Sequence, residues 1–107
     1  MRVQTFFKEL PERDPTFLKW VRTQPCEECK QIGFSVAHHQ PAKGDSGKGT
    51  KVSDRRCIPL CRPHYGNGIL VEGCHGKYHR VGRDSFWQGR DPERIIERLN
   101  AVYKRKG

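Results

Sequence analysis

Apolar side chains are scarce in this chain. Hydrophobic residues make up 34% of its 107 residues, and aromatic residues 9%. A domain this small, with so little to bury, needs a further source of stability such as disulfides or a structural metal ion. No apolar run is long enough to span a bilayer, and the first residues lack the hydrophobic stretch of a secretory signal. We therefore predict a single domain, residues 1–107, that has no membrane partner and works in the cytoplasm.

Acidic residues are also in short supply. The chain has 12 of them against 21 lysines and arginines, which gives a net charge of +9 at pH 7. An excess of this size favours a polyanionic partner, of which nucleic acid is the simplest. A solvated basic surface is the alternative. The cysteines number five, and an odd count fits poorly with a framework made only of disulfides. In a reducing cytoplasm these thiols are free to bind metal.

Local patterns predict structure on both sides of the central segment. Residues 1–13 mix charged side chains with phenylalanines and are predicted to form an arm or a short strand. A helix is predicted over residues 14–24, with Asp14 as its N-cap. We interpret Trp20 on this helix as a core residue, and stacking on a nucleic-acid base is the alternative. A C-terminal helix is predicted over residues 91–104, where apolar side chains recur at helical spacing.

Every cysteine and histidine falls in the central part of the chain. Cys26 and Cys29 form a C-x-x-C pair. Such a pair alone can be half of a zinc site, a redox pair or a coincidence. The strand and long helix of a redox context are missing here. The second half begins at Cys61 and ends at either Cys74 or His64, and the spacing leaves both open. Four such ligands make the closed tetrahedral site of a structural zinc ion.

Two short strands are predicted within this central part. The first ends at the adjacent pair His38-His39. The second covers residues 52–60 and contains Cys57, a thiol left over from the zinc site. Between them lies a glycine-rich, basic loop, residues 41–51. The loop lacks the lysine that a nucleotide-triphosphate loop requires at its fixed position, so we interpret it as a flexible connection.

The order of these motifs resembles that of the HNH endonuclease superfamily, and is similar above all to its small phage and prophage members. The resemblance covers roughly Thr16 to Trp87. The matching stretches are Gln24-Pro25-Cys26, His38-His39, Lys51-Val52-Ser53-Asp54, Pro59-Leu60-Cys61-Arg62 and His75 to His79. Two features depart from the family pattern. An insertion separates His64 from Cys74, and the family's middle asparagine, which orients the catalytic histidine, has no counterpart near Arg56.

The resemblance implies an α+β fold, namely a small ββα-metal domain with a structural zinc knuckle and flanking N- and C-terminal helices. The metal-binding core would span residues 26–80. By the same resemblance His39 is the general base that activates water, and His38, His75 and His79 hold one divalent ion that stabilises the leaving oxygen. The family implies Mg²⁺ or Mn²⁺ or another first-row ion, whereas three imidazoles alone favour Zn²⁺, Ni²⁺ or Co²⁺.

The predicted function is the hydrolysis of DNA phosphodiester bonds by a metal-dependent endonuclease. A catalytically inactive, zinc-stabilised nucleic-acid-binding module is the alternative. Eight basic residues flank the metal ligands in sequence and are expected to contact the phosphate backbone with little base readout. They are Lys43, Lys48, Lys51, Arg55, Arg62, Lys77, Arg80 and Arg83.

Overall fold

The computed structural model describes residues 12–42 and 52–106, so most of the predicted arm, together with Lys43, Lys48 and Lys51, lies outside the described residues. In chain order the elements are α1 (Pro15–Arg22), β1 (Ser35–His39), a 3₁₀ turn (Asp54–Arg56), β2 (Cys57–Cys61), β3 (His64–Gly66), β4 (Ile69–Val71), α2 (Cys74–Val81), α3 (Arg83–Phe86) and α4 (Pro92–Lys106). The prediction of an α+β fold is confirmed. None of the helices in these ranges is long and apolar enough to cross a membrane.

β1 and β2 form an antiparallel pair, with His39 opposite Cys57. The second strand begins later than the sequence suggested, since residues 52–56 do not join it. The cause is local. Ser53 Oγ accepts a hydrogen bond from the backbone N–H of Arg55 at 3.1 Å, and this cap starts a 3₁₀ turn where the strand was expected. Every residue of β2 is buried.

β3 and β4 form a separate hairpin, in which His64 lies opposite Val71. Its two-residue turn is Asn67-Gly68, and both residues have a positive φ, 53° and 78°. This is the backbone that a tight hairpin turn requires and that an Asn-Gly pair adopts readily. The hairpin accommodates the insertion that separates His64 from Cys74, and it returns the chain to the end of β2.

The main core fills the space between the β1–β2 pair and the helices α2, α3 and α4. Its buried residues are Cys26, Ile58, Leu60, Cys61, Tyr78, Phe86, Trp87, Ile96 and Leu99. A smaller cluster on the other side joins α1 to β2 through Phe17, Val21 and Cys57. Full burial of one large apolar side chain contributes about 1.5–3 kcal/mol. The main core therefore fixes α2 against β2, the strand paired with β1, and the smaller cluster fixes α1 there.

Candidate metal centres

Four thiols converge near the end of β2. The Sγ atoms of Cys26, Cys29, Cys61 and Cys74 all lie within 4.8 Å of one another. The Sγ atoms of Cys29 and Cys61 are 3.7 Å apart. Zinc–sulfur bonds of about 2.3 Å in a tetrahedron give sulfur–sulfur separations of about 3.8 Å. The cluster therefore has the ligands and the dimensions to hold one zinc ion.

The first two thiols lie on a tight turn that is hydrogen-bonded to itself and to β2. The Cys26 N–H donates to Gln31 O, and the Lys30 N–H donates to Cys26 O, both at 2.9 Å. Lys30 takes a left-handed conformation, with φ of 67°, to close the turn. The Glu27 N–H donates to Pro59 O at 2.9 Å. This last bond docks the turn on the open edge of β2, where a proline is tolerated because no strand among the described residues pairs there.

The other two thiols meet because Gly73 lies directly against the backbone at the end of β2. Gly73 has a φ of 84°, and a Cβ built on it would lie 2.5 Å from the carbonyl carbon of Arg62. Only glycine allows so close an approach. The next residue, Cys74, donates its backbone N–H to the Sγ of Cys61 at 3.2 Å.

The alternative ligand His64 and the left-over thiol Cys57 both lie outside the thiol cluster. The ring of His64 stacks on Phe34, with centroids 4.0 Å apart, and its Nδ1–H donates to Arg62 O at 2.7 Å. Cys74 therefore completes the cluster, and His64 does not. Cys57 is buried in the α1 cluster, where burial raises the pKa of its thiol to about 12.

Electrostatics make the thiol cluster a site for a cation. Burial, reinforced by the neighbouring cysteines, raises the pKa of Cys74 well above its usual range. Burial also raises the pKa of Cys61. Burial would raise the pKa of Cys26 too, but hydrogen bonds from backbone N–H groups, including those of Cys29 and Glu28, outweigh it and the pKa is lowered. Four thiolates this close are stable together only around a positive ion.

Three imidazoles form a second cluster. His38, His75 and His79 each place one ring nitrogen within 4.8 Å of the other two. His38 is on β1, while His75 and His79 are one turn apart on α2, with their Nε2 atoms separated by 3.2 Å. Burial lowers the pKa of His38 to about 4, and it also lowers the pKa of His75. Both rings are therefore neutral at pH 7, which is the form that binds metal.

A buried glutamine fixes the tautomer of His38. Gln40 is fully buried, and its Oε1 accepts a hydrogen bond of 2.8 Å from the indole N–H of Trp87. Because an indole N–H can only donate, the glutamine atom that it meets is the oxygen. His38 Nε2 lies 3.0 Å from the same oxygen and so carries the proton. The lone pair of His38 Nδ1 is left to bind a metal ion, an arrangement common for metal-binding histidines.

His39 projects from the opposite face of β1 and meets a carboxylate. Its side chain is 39% exposed, and its Nε2 lies 2.9 Å from Oδ1 of Asp54. Asp54 also accepts hydrogen bonds from Arg13 Nη1 at 3.0 Å and from the Asp14 N–H at 2.7 Å. Burial would raise the pKa of Asp54, but these hydrogen bonds outweigh it and the pKa is lowered. An ionised Asp54 requires the proton on His39 Nε2, which leaves Nδ1 as the basic nitrogen.

Arg56 lies where the resemblance led us to expect the asparagine. Its Nε donates to Gln40 O at 2.8 Å, and the Gln40 N–H donates to Arg56 O at 3.1 Å. Arg56 therefore ties the chain just beyond the two histidines to the start of β2. The ring of His39 is oriented instead by Asp54.

The described members of the predicted phosphate-binding set differ in their surroundings. Arg55 donates to Asp14 and Asn100 at 2.9 Å each, so it joins α1 to α4. Arg80 pairs with Glu72 at 2.7 Å. Arg62 lies over the ring of Phe34, Arg83 donates to Ala42 O at 3.3 Å, and Lys77 is exposed on α2. Lys77, Arg80 and Arg83 are thus the described members on or just after the helix that carries the imidazoles, and of these Arg80 is paired with a carboxylate.

Two residues of the imidazole site were missed from the sequence. Gln40 follows His38 by two positions, and strand alternation alone would place both side chains on one face. The sequence marks Asp54 only as the last residue of the stretch Lys51-Val52-Ser53-Asp54 and gives it no partner. Its contact with His39 joins positions on either side of the loop outside the described residues, so no local pattern signals it.

Comparison with known proteins finds a match to one family, whose description assigns it no activity. The family described as "Protein of unknown function (DUF968)" matches residues 7–67, which is more than half of the chain. The chain belongs to this family. The DUF968 match includes the C-x-x-C pair and both adjacent histidines, and it ends before α2.

One curated relative is the "Uncharacterized protein YdfU" of Escherichia coli (strain K12), which is 38% identical over 63 residues. The match covers 55% of this DUF968 chain and 18% of the relative. The chain therefore spans less than a fifth of the length of that protein. No solved structure matches the chain.

Proposed function

We propose that this DUF968 chain is a metal-dependent DNA endonuclease of the HNH type, built around a structural zinc ion. The observation that carries the proposal is the meeting of three imidazoles at the end of the strand that also carries a carboxylate-bound histidine. His38, His75 and His79 offer ring nitrogens within 4.8 Å of one another. Three imidazoles leave coordination positions open for phosphate and water, unlike the closed thiol cluster.

Each residue of the imidazole site has a part in the proposed reaction. Gln40 holds His38 in the tautomer that presents Nδ1. Asp54 accepts the Nε2–H of His39, so Nδ1 of His39 takes the proton from an attacking water. A divalent ion held by the three imidazoles would supply Lewis-acid stabilisation of the charge on the leaving oxygen. The imidazolium that forms keeps its Nε2–H on Asp54, whose negative charge stabilises it.

The net charge of +9 supports nucleic acid as the substrate. Lys77 and Arg83, on and just after α2, are the described cations that we assign to the phosphates beside the imidazole site. Neither side chain reads a base in this proposal, so cleavage is expected to depend weakly on DNA sequence. The four-thiol cluster, in the same proposal, holds zinc permanently and takes no part in the chemistry.

The test is a plasmid-nicking assay combined with elemental analysis of the same sample. One zinc ion per chain is expected after dialysis, and nicking is expected with at least one of Mg²⁺, Mn²⁺, Ni²⁺ and Zn²⁺. His39→Ala should lower the nicking rate by about 10²–10⁴-fold, the usual contribution of a general base. His64→Ala is the matched control, because it removes an imidazole that belongs to neither cluster. Intact plasmid with all four ions, or equal rates in the two variants, would overturn the proposal.

A nucleic-acid-binding module without catalysis is the second candidate. The observation that favours it is the alternation of β1, which sends His39 away from the three imidazoles that His38 joins. This candidate predicts salt-sensitive DNA binding and no nicked product under any of the four ions. The same samples therefore distinguish the two candidates.

A further inference from the structure

A groove between α1 and the C-terminal half of α4 lies apart from both metal clusters. It has a volume of about 990 Å³, and no lining residue belongs to either cluster. Two aromatic rings, Trp20 and Tyr103, form part of its wall, and lysines 19, 104 and 106 stand along it. We call it the Trp20 groove.

The charged side chains that line the Trp20 groove are all cationic. Among the residues that line it, all of them in the described ranges, there are four cationic side chains and no carboxylate. Arg55 is already engaged by Asp14 and Asn100. The lysines are exposed, and no carboxylate of the described residues forms an ion pair with them. Three cations therefore remain available to an anionic ligand.

The rings of Trp20 and Tyr103 are half-buried, and both pack against a buried phenylalanine. The ring centroids of Trp20 and Tyr103 are 5.1 Å apart. Both rings contact buried Phe17, at 5.8 Å and 5.0 Å between centroids. Because they are supported on one side and accessible on the other, the rings can receive a flat apolar group without rearranging.

We propose that the Trp20 groove binds a single-stranded segment of nucleic acid, with a base against Trp20 and Tyr103 and phosphates on Lys19, Lys104 and Lys106. Cations beside accessible aromatic rings are what proteins use for this ligand, since every base has a face to stack and every nucleotide a phosphate. A duplex keeps its bases stacked inside and offers none to a concave site. The inference does not depend on the proposed function, because binding can be measured without cleavage.

The fluorescence of Trp20 can report directly on binding in the groove. The chain has two tryptophans, and Trp87 is buried, with its indole N–H bonded to Gln40. Quenching by iodide therefore reports on Trp20. With zinc-loaded protein and no other divalent ion, a short oligothymidylate should shield Trp20 from iodide. Protection of Trp20 by oligothymidylate or by oligouridylate supports the proposal. The one that binds more tightly shows whether the groove prefers single-stranded DNA or RNA.

Charge variants distinguish binding in the Trp20 groove from the nonspecific attraction between nucleic acid and a basic protein. The test variant combines Lys19→Gln, Lys104→Gln and Lys106→Gln. The matched control, on the same two helices but outside the groove, combines Arg22→Gln, Arg94→Gln and Arg105→Gln. Loss of three phosphate contacts should reduce the slope of log affinity against log salt by about 2, and the control should retain the slope.

An aromatic variant tests the stacking contact while Trp20 remains as the reporter. Tyr103→Leu should weaken oligothymidylate binding about 5- to 150-fold, the range of losses seen when one stacking side chain is removed. Circular-dichroism melting checks that each variant is folded. Three results would overturn the inference: equal losses in the two triple variants, an oligonucleotide that binds while Trp20 stays open to iodide, or the same shielding by polyglutamate.

Discussion

Replacing Gly73 by alanine should damage both metal clusters from a position that belongs to neither. The added Cβ would lie 2.5 Å from the Arg62 carbonyl carbon and 2.8 Å from Cys61 O. The backbone would have to withdraw by about 0.5 Å before the nearest contact reached the 3.0 Å at which real contacts begin. Since Cys74 is the next residue, this withdrawal pulls its thiol from that of Cys61 and tilts the start of α2.

The size of the effect follows from two terms. A non-glycine residue at a φ of 84° and ψ of 150° costs about 1–3 kcal/mol in backbone strain. Overpacking against fixed backbone adds about 1–3 kcal/mol more. The zinc-loaded Gly73→Ala variant should therefore lose about 2–6 kcal/mol of stability and bind zinc at least tenfold more weakly, as measured by thermal melting and by competition with a chelator.

Gly82 is the matched control at the other end of α2. Its φ and ψ are 91° and 161°, nearly those of Gly73, but nothing lies within 4 Å of the position where a Cβ would be added. Gly82→Ala should pay only the strain, about 1–3 kcal/mol, and keep the wild-type zinc affinity. The melting temperatures of the two variants should then differ by at least 4 °C, since roughly 4–8 °C corresponds to 1 kcal/mol in a domain of this size. Equal losses of stability and of zinc in both variants would refute the argument from close approach.

Three further predictions concern single side chains. Cys57→Ala should retain zinc as the wild type does, whereas Cys61→Ala should lose it under the same chelator, and zinc loss in both would place Cys57 in the site. Asp54→Asn should lower the rate of nicking about 10- to 100-fold by releasing the ring of His39, and an unchanged rate would remove Asp54 from the mechanism. Burial holds the pKa of His38 at about 4, against 6.5 in the unfolded chain. Between these two pH values the unfolded chain binds a proton that the folded chain does not. The free energy of unfolding should therefore fall by about 3 kcal/mol as the pH drops from 6.5 to 4. Urea unfolding of zinc-loaded protein without other divalent ions should show this fall in the wild type, and a fall of equal size in His38→Gln would contradict it.

The elements of this fold that rest on local pattern could be predicted from the sequence, and those that rest on distant contacts could not. Asp14 and the apolar spacing around Phe17 predict α1, because a cap and a 3.6-residue period are local properties. The choice between His64 and Cys74 was open because it depends on the path of the chain between them. The β3–β4 hairpin decides it by returning Gly73 to the end of β2, and a turn signal alone does not give that direction.

The imidazole site shows the same limit. Strand alternation separates His38 from His39, and this follows from the sequence once a strand is predicted there. The hydrogen-bond partner of each of these two imidazole rings does not follow from the sequence. Asp54 reaches His39 only because Ser53 starts a 3₁₀ turn where a continuous strand was expected, and the turn directs the carboxylate under the ring. A hydrogen bond between two such positions depends on the whole β1–β2 packing, which no window of sequence contains.

α2 begins with Cys74 and continues with His75, so one member of the thiol cluster and one member of the imidazole cluster are consecutive residues of one helix. Oxidants and electrophiles that attack the thiols would release the start of α2, and the helix would take two of the three imidazoles with it. In the proposed enzyme, thiol damage would thus stop DNA cleavage without any reagent reaching the substrate. Activity would depend on the redox state of the cell through a centre that performs no chemistry.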